Sequence, residues 1–412
     1  MATRVLLLTQ WFDPEPTFKG MVFARELVRQ GFEVEVLTGF PNYPGGKLYP
    51  RYRMRWLQRE NIEGVRVTRV PLYPSHDQSA IGRVMNYASF AASAVVYGVF
   101  MMRRCDVIYA YHPPLTVGVA AAMIRSLRRV PVVYDIQDMW PDTLRATGMI
   151  GNEKVLGMVG RVCRWVYRRM DHIVVLSPGF RRLLSERGVA HDKIEVIYNW
   201  ADEAALGEPT GNLPPCFPAS DRFRIVFAGN MGKAQALTAV LDAAGLLQAR
   251  DSRVSFVLVG GGVEVDRLRQ IAAERALRNV TFVPQMPMSE VGTVLNAADA
   301  LIVHLRRDPL FEITIPSKTQ AYMTVGKPLL MAVDGDAADL VRDADCGVIA
   351  RSEDPEAIAS AAEAMAALSG AALAEMGANA KQYYRERLAL NVGASRFGAI
   401  FDRLASRKAS GK

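Results

Sequence analysis

The sequence predicts an α/β protein of two Rossmann-like, doubly wound domains facing a cleft. Three observations predict it. The chain has 412 residues, beyond the size at which one hydrophobic core usually stops growing. Short apolar runs alternate with amphipathic stretches along nearly all of it, the rhythm of repeated strand–helix–strand units. That rhythm halts once, in the four-proline stretch A-D-E-A-A-L-G-E-P-T-G-N-L-P-P-C-F-P-A-S over 201–220, and then restarts. The expected layout is a domain over 1–200, a linker over 201–220, a domain over 221–390, and a C-terminal helix over 391–412 with the option of packing back on the first domain.

The first strand is Val5 to Thr9. A loop carrying Lys19 and Gly20 follows, then a helix from about Met21 to Gln30 stopped by Gly31, and a second strand from Glu33 to Thr38. The loop lacks G-x-G-x-x-G, which argues against a nicotinamide-type site; Gly20 is expected to let the backbone approach a ligand at the helix start. Residues 42–59 are rich in Pro, Gly, Tyr and Arg and read as a long functional loop before a strand at Val65 to Val70. Val84 to Met102 carries no charge, a length that would admit a membrane span, but it lies between two strands of one sheet. It is expected to be a helix that is either buried or lies in a membrane interface.

Strands at Asp106 to Tyr111 and Val130 to Tyr134 end in H-P-P and D-I-Q-D-M-W-P-D. Ligands of open parallel sheets bind off the carboxyl ends of strands, so His112, Gln137 and Asp138 are expected to line a cleft. The next helix, Glu153 to Met170, places Lys154, Arg161, Arg164 and Arg168 on one face, the pattern of a basic amphipathic helix. A strand at His172 to Leu176, a helix capped at Ser177 and a strand at Lys193 to Tyr198 complete the domain.

The second half runs from a strand at Phe223 to Ala228 through G-N-M-G-K-A-Q, a helix to about Arg250, a strand at Ser255 to Val259, and the triple glycine Gly260 to Gly262. A helix at Glu264 to Ala276, a strand at Val280 to Val283, a helix at Ser289 to Asn296 and a strand at Ala300 to Leu305 follow. Then comes P-L-F-E-I-T-I-P-S-K-T-Q-A-Y-M-T-V-G-K-P, Pro309 to Pro328. Pro316 suits the start of a helix and Gly326 its end, which predicts a helix over Ser317 to Val325. Its free N–H groups, its positive dipole end and Lys318 would favour a phosphate-bearing ligand. A strand at Pro328 to Val333, a helix after Gly335, a strand at Gly347 to Ala350 and Ala-rich helices close the chain.

Composition narrows the function classes. Residues 1–200 hold 27 Lys+Arg against 17 Asp+Glu, and the remainder 23 against 25. The basic half should face something anionic. Without a zinc finger or an aromatic-interleaved RNA motif, that is a membrane surface or a phosphorylated substrate rather than nucleic acid. The four cysteines show no C-x-x-C spacing, as expected of buried thiols in a reducing compartment rather than a disulfide frame or zinc site. The N-terminal apolar run is too short for a signal peptide.

Taken in order, F-D-P-E-P at Phe12 to Pro16, S-P-G at Ser177 to Gly179, V-I-Y-N-W-A-D at Val196 to Asp202, F-A-G-N-M-G-K-A-Q at Phe227 to Gln235 and I-P-S-K-T-Q-A-Y-M-T-V-G-K-P at Ile315 to Pro328 resemble the retaining, nucleotide-sugar-dependent glycosyltransferases of family 4, which have the GT-B fold. D-I-Q-D-M-W-P with P-S-K-T-Q-A-Y looks most like the bacterial surface-polysaccharide branch that includes L-fucosamine transferases of O-antigen assembly. The resemblance implies a UDP-sugar donor, no metal or other cofactor, a polyprenyl-diphosphate-linked saccharide acceptor, and a place in the cytoplasm on the inner face of the membrane. It implies catalytic roles for Asp138, Glu312 and Lys318. The donor side would be Gly20, Asn230, Lys233, Gln235, Gly261, Gln285, Ser317 and Gln320, the acceptor side Lys19, His112 and Gln137, and the membrane side Lys154, Arg161, Arg164 and Arg168. The sequence departs from the family where its His-Asp pair becomes Gln137-Asp138, where its first C-domain Arg and Lys become Asn230 and Gln235, and where its Glu-x7-Glu pair aligns Ala321 with the second Glu. An epimerase of the same fold or a non-catalytic membrane-associated scaffold are the alternatives.

Overall fold

The computed structural model describes residues 2–75, 80–203, 213–218 and 221–409, and the chain forms two compact units. One comprises Met1–Leu176, Phe180–Ile197 and Leu390–Lys412, the other Ser177–Gly179 and Tyr198–Ala389. Residues 204–212 and 219–220 of the expected linker lie outside the described residues.

The first unit runs β1 (Arg4–Leu8), α1 (Met21–Arg29), β2 (Glu33–Gly39), β3 (Gln58–Ile62), β4 (Val65–Val70), α2 (Ala80–Phe100), β5 (Val107–His112), α3 (Leu115–Arg128), β6 (Val132–Ile136), α4 (Asp142–Ala146), α5 (Glu153–Arg169), β7 (His172–Val175), α6 (Pro178–Glu186) and β8 (Ile194–Val196). Its sheet has the order β3-β4-β2-β1-β5-β6-β7-β8. Every pairing is parallel except β3 with β4. The order reverses between β1 and β5, the switch point where a crevice opens off the strand ends. β5 and β6 are buried along their whole length because helices cover both faces, which is why V-I-Y-A-Y-H and V-V-Y-D-I read as continuous apolar runs rather than alternating ones. The antiparallel edge strand β3 takes the end of the expected 42–59 loop. Its sequence Q-R-E-N-I buries no side chain fully, so it lacks the apolar pattern that marks the other strands. The helix α3 was not expected either. Asn152 starts α5 by accepting the N–H groups of Lys154 and Val155.

The second unit runs β9 (Phe223–Ala228), α7 (Thr238–Ala249), β10 (Val254–Val259), α8 (Val265–Glu274), β11 (Val280–Val283), α9 (Met288–Ala297), β12 (Ala300–His304), α10 (Pro309–Glu312), α11 (Ser317–Val325), β13 (Leu329–Ala332), α12 (Asp336–Asp343), β14 (Gly347–Ile349), α13 (Pro355–Ala367) and α14 (Gly370–Tyr383). Its parallel sheet has the order β11-β10-β9-β12-β13-β14, with the switch point between β9 and β12. Phe223, Ile225, Phe256 and Leu258 pack with Val240, Leu241 and Leu247 of α7 to form its core.

The last helix, α15 (Leu390–Ala409), belongs to the first unit. Its Phe397 ring lies 5.3 Å from that of Phe23 and 5.4 Å from that of Tyr109. The uncharged stretch expected to be buried or interfacial is α2, and it is buried on one face only, through Phe90, Ala94 and Tyr97. Among the described residues no single helix is long and apolar enough to cross a membrane.

Candidate active site

In the second unit the site is built on the carboxyl ends of β9 and β10. Gly229 and Gly260 both have φ of +133°, and Gly262 has +142°, a backbone that only glycine adopts readily. The space is as restrictive as the dihedrals: a Cβ on Gly260 would fall 2.2 Å from the carbonyl oxygen of Gly229, and one on Gly261 would fall 2.9 Å from Oε1 of Gln285. Two hydrogen bonds tie these loops together, Gly229 N–H to Val259 O at 2.9 Å and Met231 N–H to Gly261 O at 2.7 Å. Gly261 and Gln285, both assigned to the donor side, are therefore neighbours.

Helix α11 spans Ser317–Val325 as expected, preceded by Pro316 and ended by Gly326 at φ +75°. Its position is set by Tyr322. The buried phenol accepts the Ala228 N–H at 2.7 Å and donates to the Ala228 carbonyl at 3.2 Å, fixing the helix to the end of β9. That anchor brings Lys318 to the glycine loop. Its Nζ lies 4.7 Å from the centroid of Phe227, and a Cβ on Gly229 would come within 2.7 Å of its Cε. Burial pushes its pKa down to about 8 because the ammonium has lost water, with no carboxylate among the described residues paired to it. The arrangement is that of a partly dehydrated cation at a helix N-terminus, suited to a diphosphate. Ser317 and Glu312 are exposed, Glu312 ending the short α10 that Asp308 caps.

The loop after β9 is held from below by a residue that sequence reading missed. Buried His304 donates from Nδ1 to Gln235 O at 2.6 Å, while its Nε2 accepts the Glu353 N–H at 3.2 Å. This pair of roles fixes the neutral tautomer, and burial lowers the pKa accordingly. Nothing in a lone strand-end His signals it. Gln235 turns its Oε1 to the Gly232 N–H at 2.9 Å, whereas Asn230 and Lys233 are exposed. Gln320, also expected on the donor side, is turned into its own helix. It is buried, and with its amide turned so that the nitrogen faces the acceptors, that nitrogen donates to the carbonyls of Pro316 and Ser317 at 2.8 and 3.3 Å.

In the first unit three of the expected site residues are tightly enclosed. The Lys19 side chain is 0% exposed and its Nζ donates to Asp135 Oδ2 at 2.5 Å, with the Phe397 ring centroid 4.8 Å away. His112 is buried with the Trp140 ring edge-on at 5.4 Å. Burial alone pulls its pKa to about 3, so it is neutral. At Gly20 any side chain is excluded, since a Cβ there would fall 2.2 Å from Asp13 Oδ2. The reason is that Asp13 accepts the Met21 N–H at 2.7 Å and so starts α1. Glu15 of the same F-D-P-E-P segment accepts the N–H groups of Asn42 and Tyr43 at 2.7 and 2.8 Å, and burial pushes its carboxyl up to about 7.

What remains at the carboxyl end of β6 is Gln137 and Asp138. Asp135, holding Lys19 and the Tyr109 hydroxyl on Oδ2, takes the Gln137 amide nitrogen on Oδ1 at 2.7 Å. Asp138 is half-buried, and burial raises its pKa. On α5, Lys154, Arg161, Arg164 and Arg168 are all exposed. Among the described residues no group of three His, Cys, Asp or Glu side chains is placed to hold a metal ion.

Residues 21–200 match the glycosyl transferase 4-like domain and residues 217–383 the glycosyl transferases group 1 domain. The chain belongs to the glycosyltransferases of the GT-B fold. This glycosyltransferase is 28% identical over 311 residues to an Escherichia coli K12 protein named "Putative colanic acid biosynthesis glycosyl transferase WcaI", an alignment covering 73% of this chain and 75% of the relative. Among solved structures it resembles sucrose-phosphate synthase of Thermosynechococcus elongatus, with TM-score 0.73, 16% identity, and 98% and 99% of the two chains covered. It also resembles HepE of Anabaena in complex with UDP-glucose, with TM-score 0.63, 16% identity, and 99% and 100% covered.

Proposed function

We propose that this glycosyltransferase is a retaining, metal-independent member of family 4. In this reading it moves an N-acetylated 6-deoxyhexosamine, such as N-acetyl-L-fucosamine, from UDP to a polyprenyl-diphosphate-linked saccharide in surface-polysaccharide synthesis. The 221–390 half takes the nucleotide sugar. The 1–200 half takes the acceptor and faces the cytoplasmic side of the membrane. The observation that carries the reading is Lys318, a partly dehydrated cation at the start of α11 beside the Gly229 loop. The departing nucleotide diphosphate gathers negative charge as the sugar acquires oxocarbenium character. Lys318, the exposed Lys233 and the α11 N–H groups supply preorganised positive charge for it. Glu312 orients a sugar hydroxyl or the acceptor, and Asp138 acts on the acceptor side as a weak base or positioning group.

The relative's name, with its colanic acid, supports a polysaccharide product, and the UDP-glucose complex of HepE supports a UDP donor. Gln137 supports a 6-deoxy sugar. Its amide nitrogen is engaged by Asp135, and the His that contacts the donor 6-hydroxyl in the resembled family is absent. A polar group built for a missing hydroxyl would be left unpaired at a cost of roughly 1–3 kcal/mol. Thermal stabilisation by UDP, GDP and TDP tests the base. Transfer or donor hydrolysis with UDP-N-acetylglucosamine against UDP-linked 6-deoxy-N-acetylhexosamines tests the sugar, and preference for the 6-hydroxylated donor would end that part of the reading.

A further inference from the structure

α2, α3 and α5 lie side by side in one helical layer of the first unit, and the outer face of this layer has a composition that donor chemistry does not explain. Residues 80–105 and 113–134 contain no Asp or Glu. α2 packs closely on α3, where a Cβ on Gly98 would fall 2.5 Å from Cδ1 of Ile124. The face of α2 opposite Phe90, Ala94 and Tyr97 is nonetheless apolar as well. Ile81 is 76% exposed, Val84 63% and Phe100 78%, and the stripe continues on α3 with Leu127 at 63%. A water-facing helix in a globular protein carries polar residues on that side. At the ends of α2 and α3 the exposed side chains of Arg103, Arg104 and Arg129 follow the stripe. The cationic face of α5 belongs to the same layer.

We propose that this face lies flat on an anionic phospholipid bilayer, with α2 and the end of α3 sunk to the acyl boundary and the flanking cations at the headgroups. The proposal deepens the membrane-facing part of the reading above. It names insertion of an apolar stripe, rather than attraction to α5 alone, as what holds the protein there. α2 would lie along the surface for about 31 Å at 1.5 Å per residue. An in-plane helix with its apolar side down and cations at the rim has the chemistry of such a contact. The surplus of arginine and the lack of any carboxylate on α2 and α3 complement phosphate headgroups. A protein partner would need acidic groups in the same places.

The test uses the full chain with vesicles of phosphatidylcholine, with and without phosphatidylglycerol. Ile81→Ser, Val84→Ser, Phe100→Ser and Leu127→Ser, combined, alter exposed side chains only, and an unchanged melting temperature checks that the fold survives. The expected result is a fall in partitioning of at least about tenfold that persists at high salt. Reversing Lys154, Arg161, Arg164 and Arg168 should instead weaken binding mainly at low salt. Wild-type partitioning by the serine variant overturns the proposal. So does a change in its oligomeric state with vesicle binding intact, which would make the stripe a contact between copies of the chain. Donor hydrolysis without vesicles stays at the wild-type rate in the serine variant. Failure of the glycosyl-transfer reading would appear separately, as a wild-type protein that binds vesicles and turns over no nucleotide sugar.

Discussion

At the scale of single residues, Lys318 ties structure to rate. With its pKa at about 8, the ammonium is charged below that value and lost above it. The kcat/KM for donor, which reports the free enzyme, should therefore fall as pH rises through about 8. A bound diphosphate favours the charged form, so kcat should hold to higher pH. Lys318→Arg should flatten the alkaline limb, and a limb unchanged in that variant would assign it to another group. Lys318→Ala should lower turnover by ~100-fold, the scale of losing one preorganised charge, with an unaltered melting temperature; a near-normal rate would sink the assignment. Lys318 was legible in the sequence because Pro316 and Gly326 frame its helix. The depth at which Lys19 and His112 are enclosed was not legible, for a physical reason. A polar residue after a strand looks the same in sequence whether it reaches solvent or turns inward to a partner such as Asp135, 116 residues away.

At the scale of elements, most of the fold was readable because parallel strands buried on both faces leave apolar runs bounded by turn residues. β3 was not, since an edge strand stripped of apolar side chains looks like a loop. The fixing of α11 was not readable either, because Tyr322 and Ala228 are 94 residues apart. That anchor makes a prediction. Tyr322→Phe removes the group that both accepts from and donates to Ala228, leaving a buried N–H unpaired. It should cost about 1–3 kcal/mol in urea unfolding. Because Lys318 then loses its fixed place beside Gly229, the KM for donor should rise by roughly threefold or more. An unaltered KM with reduced stability would mean that the helix is held by packing alone.

At the scale of the whole molecule, the chain leaves its first unit, builds the second, and returns to the first with α15. Phe397 and Phe401 are both 0% exposed, and Arg396 reaches Glu195 at 3.2 Å while Lys408 donates to the Cys105 carbonyl at 3.0 Å. Phe397 also covers the Lys19–Asp135 pair, whose charges are bearable inside only while they stay matched and enclosed. Phe397→Ala should then cost about 3–5 kcal/mol, the range for emptying an aromatic site in a core, and the loss should fall on the first unit. Removing residues 390–412 extends the argument, because it uncovers Phe23 and Tyr109 together. Limited proteolysis of the shortened chain should digest residues 1–197 while leaving a resistant fragment from about Tyr198 to Ala389. That fragment contains Lys318 and the glycine loops, so it should retain thermal stabilisation by UDP. Survival of both units after the deletion would show that α15 is dispensable to the first unit, and loss of both would show that the second unit cannot stand without it.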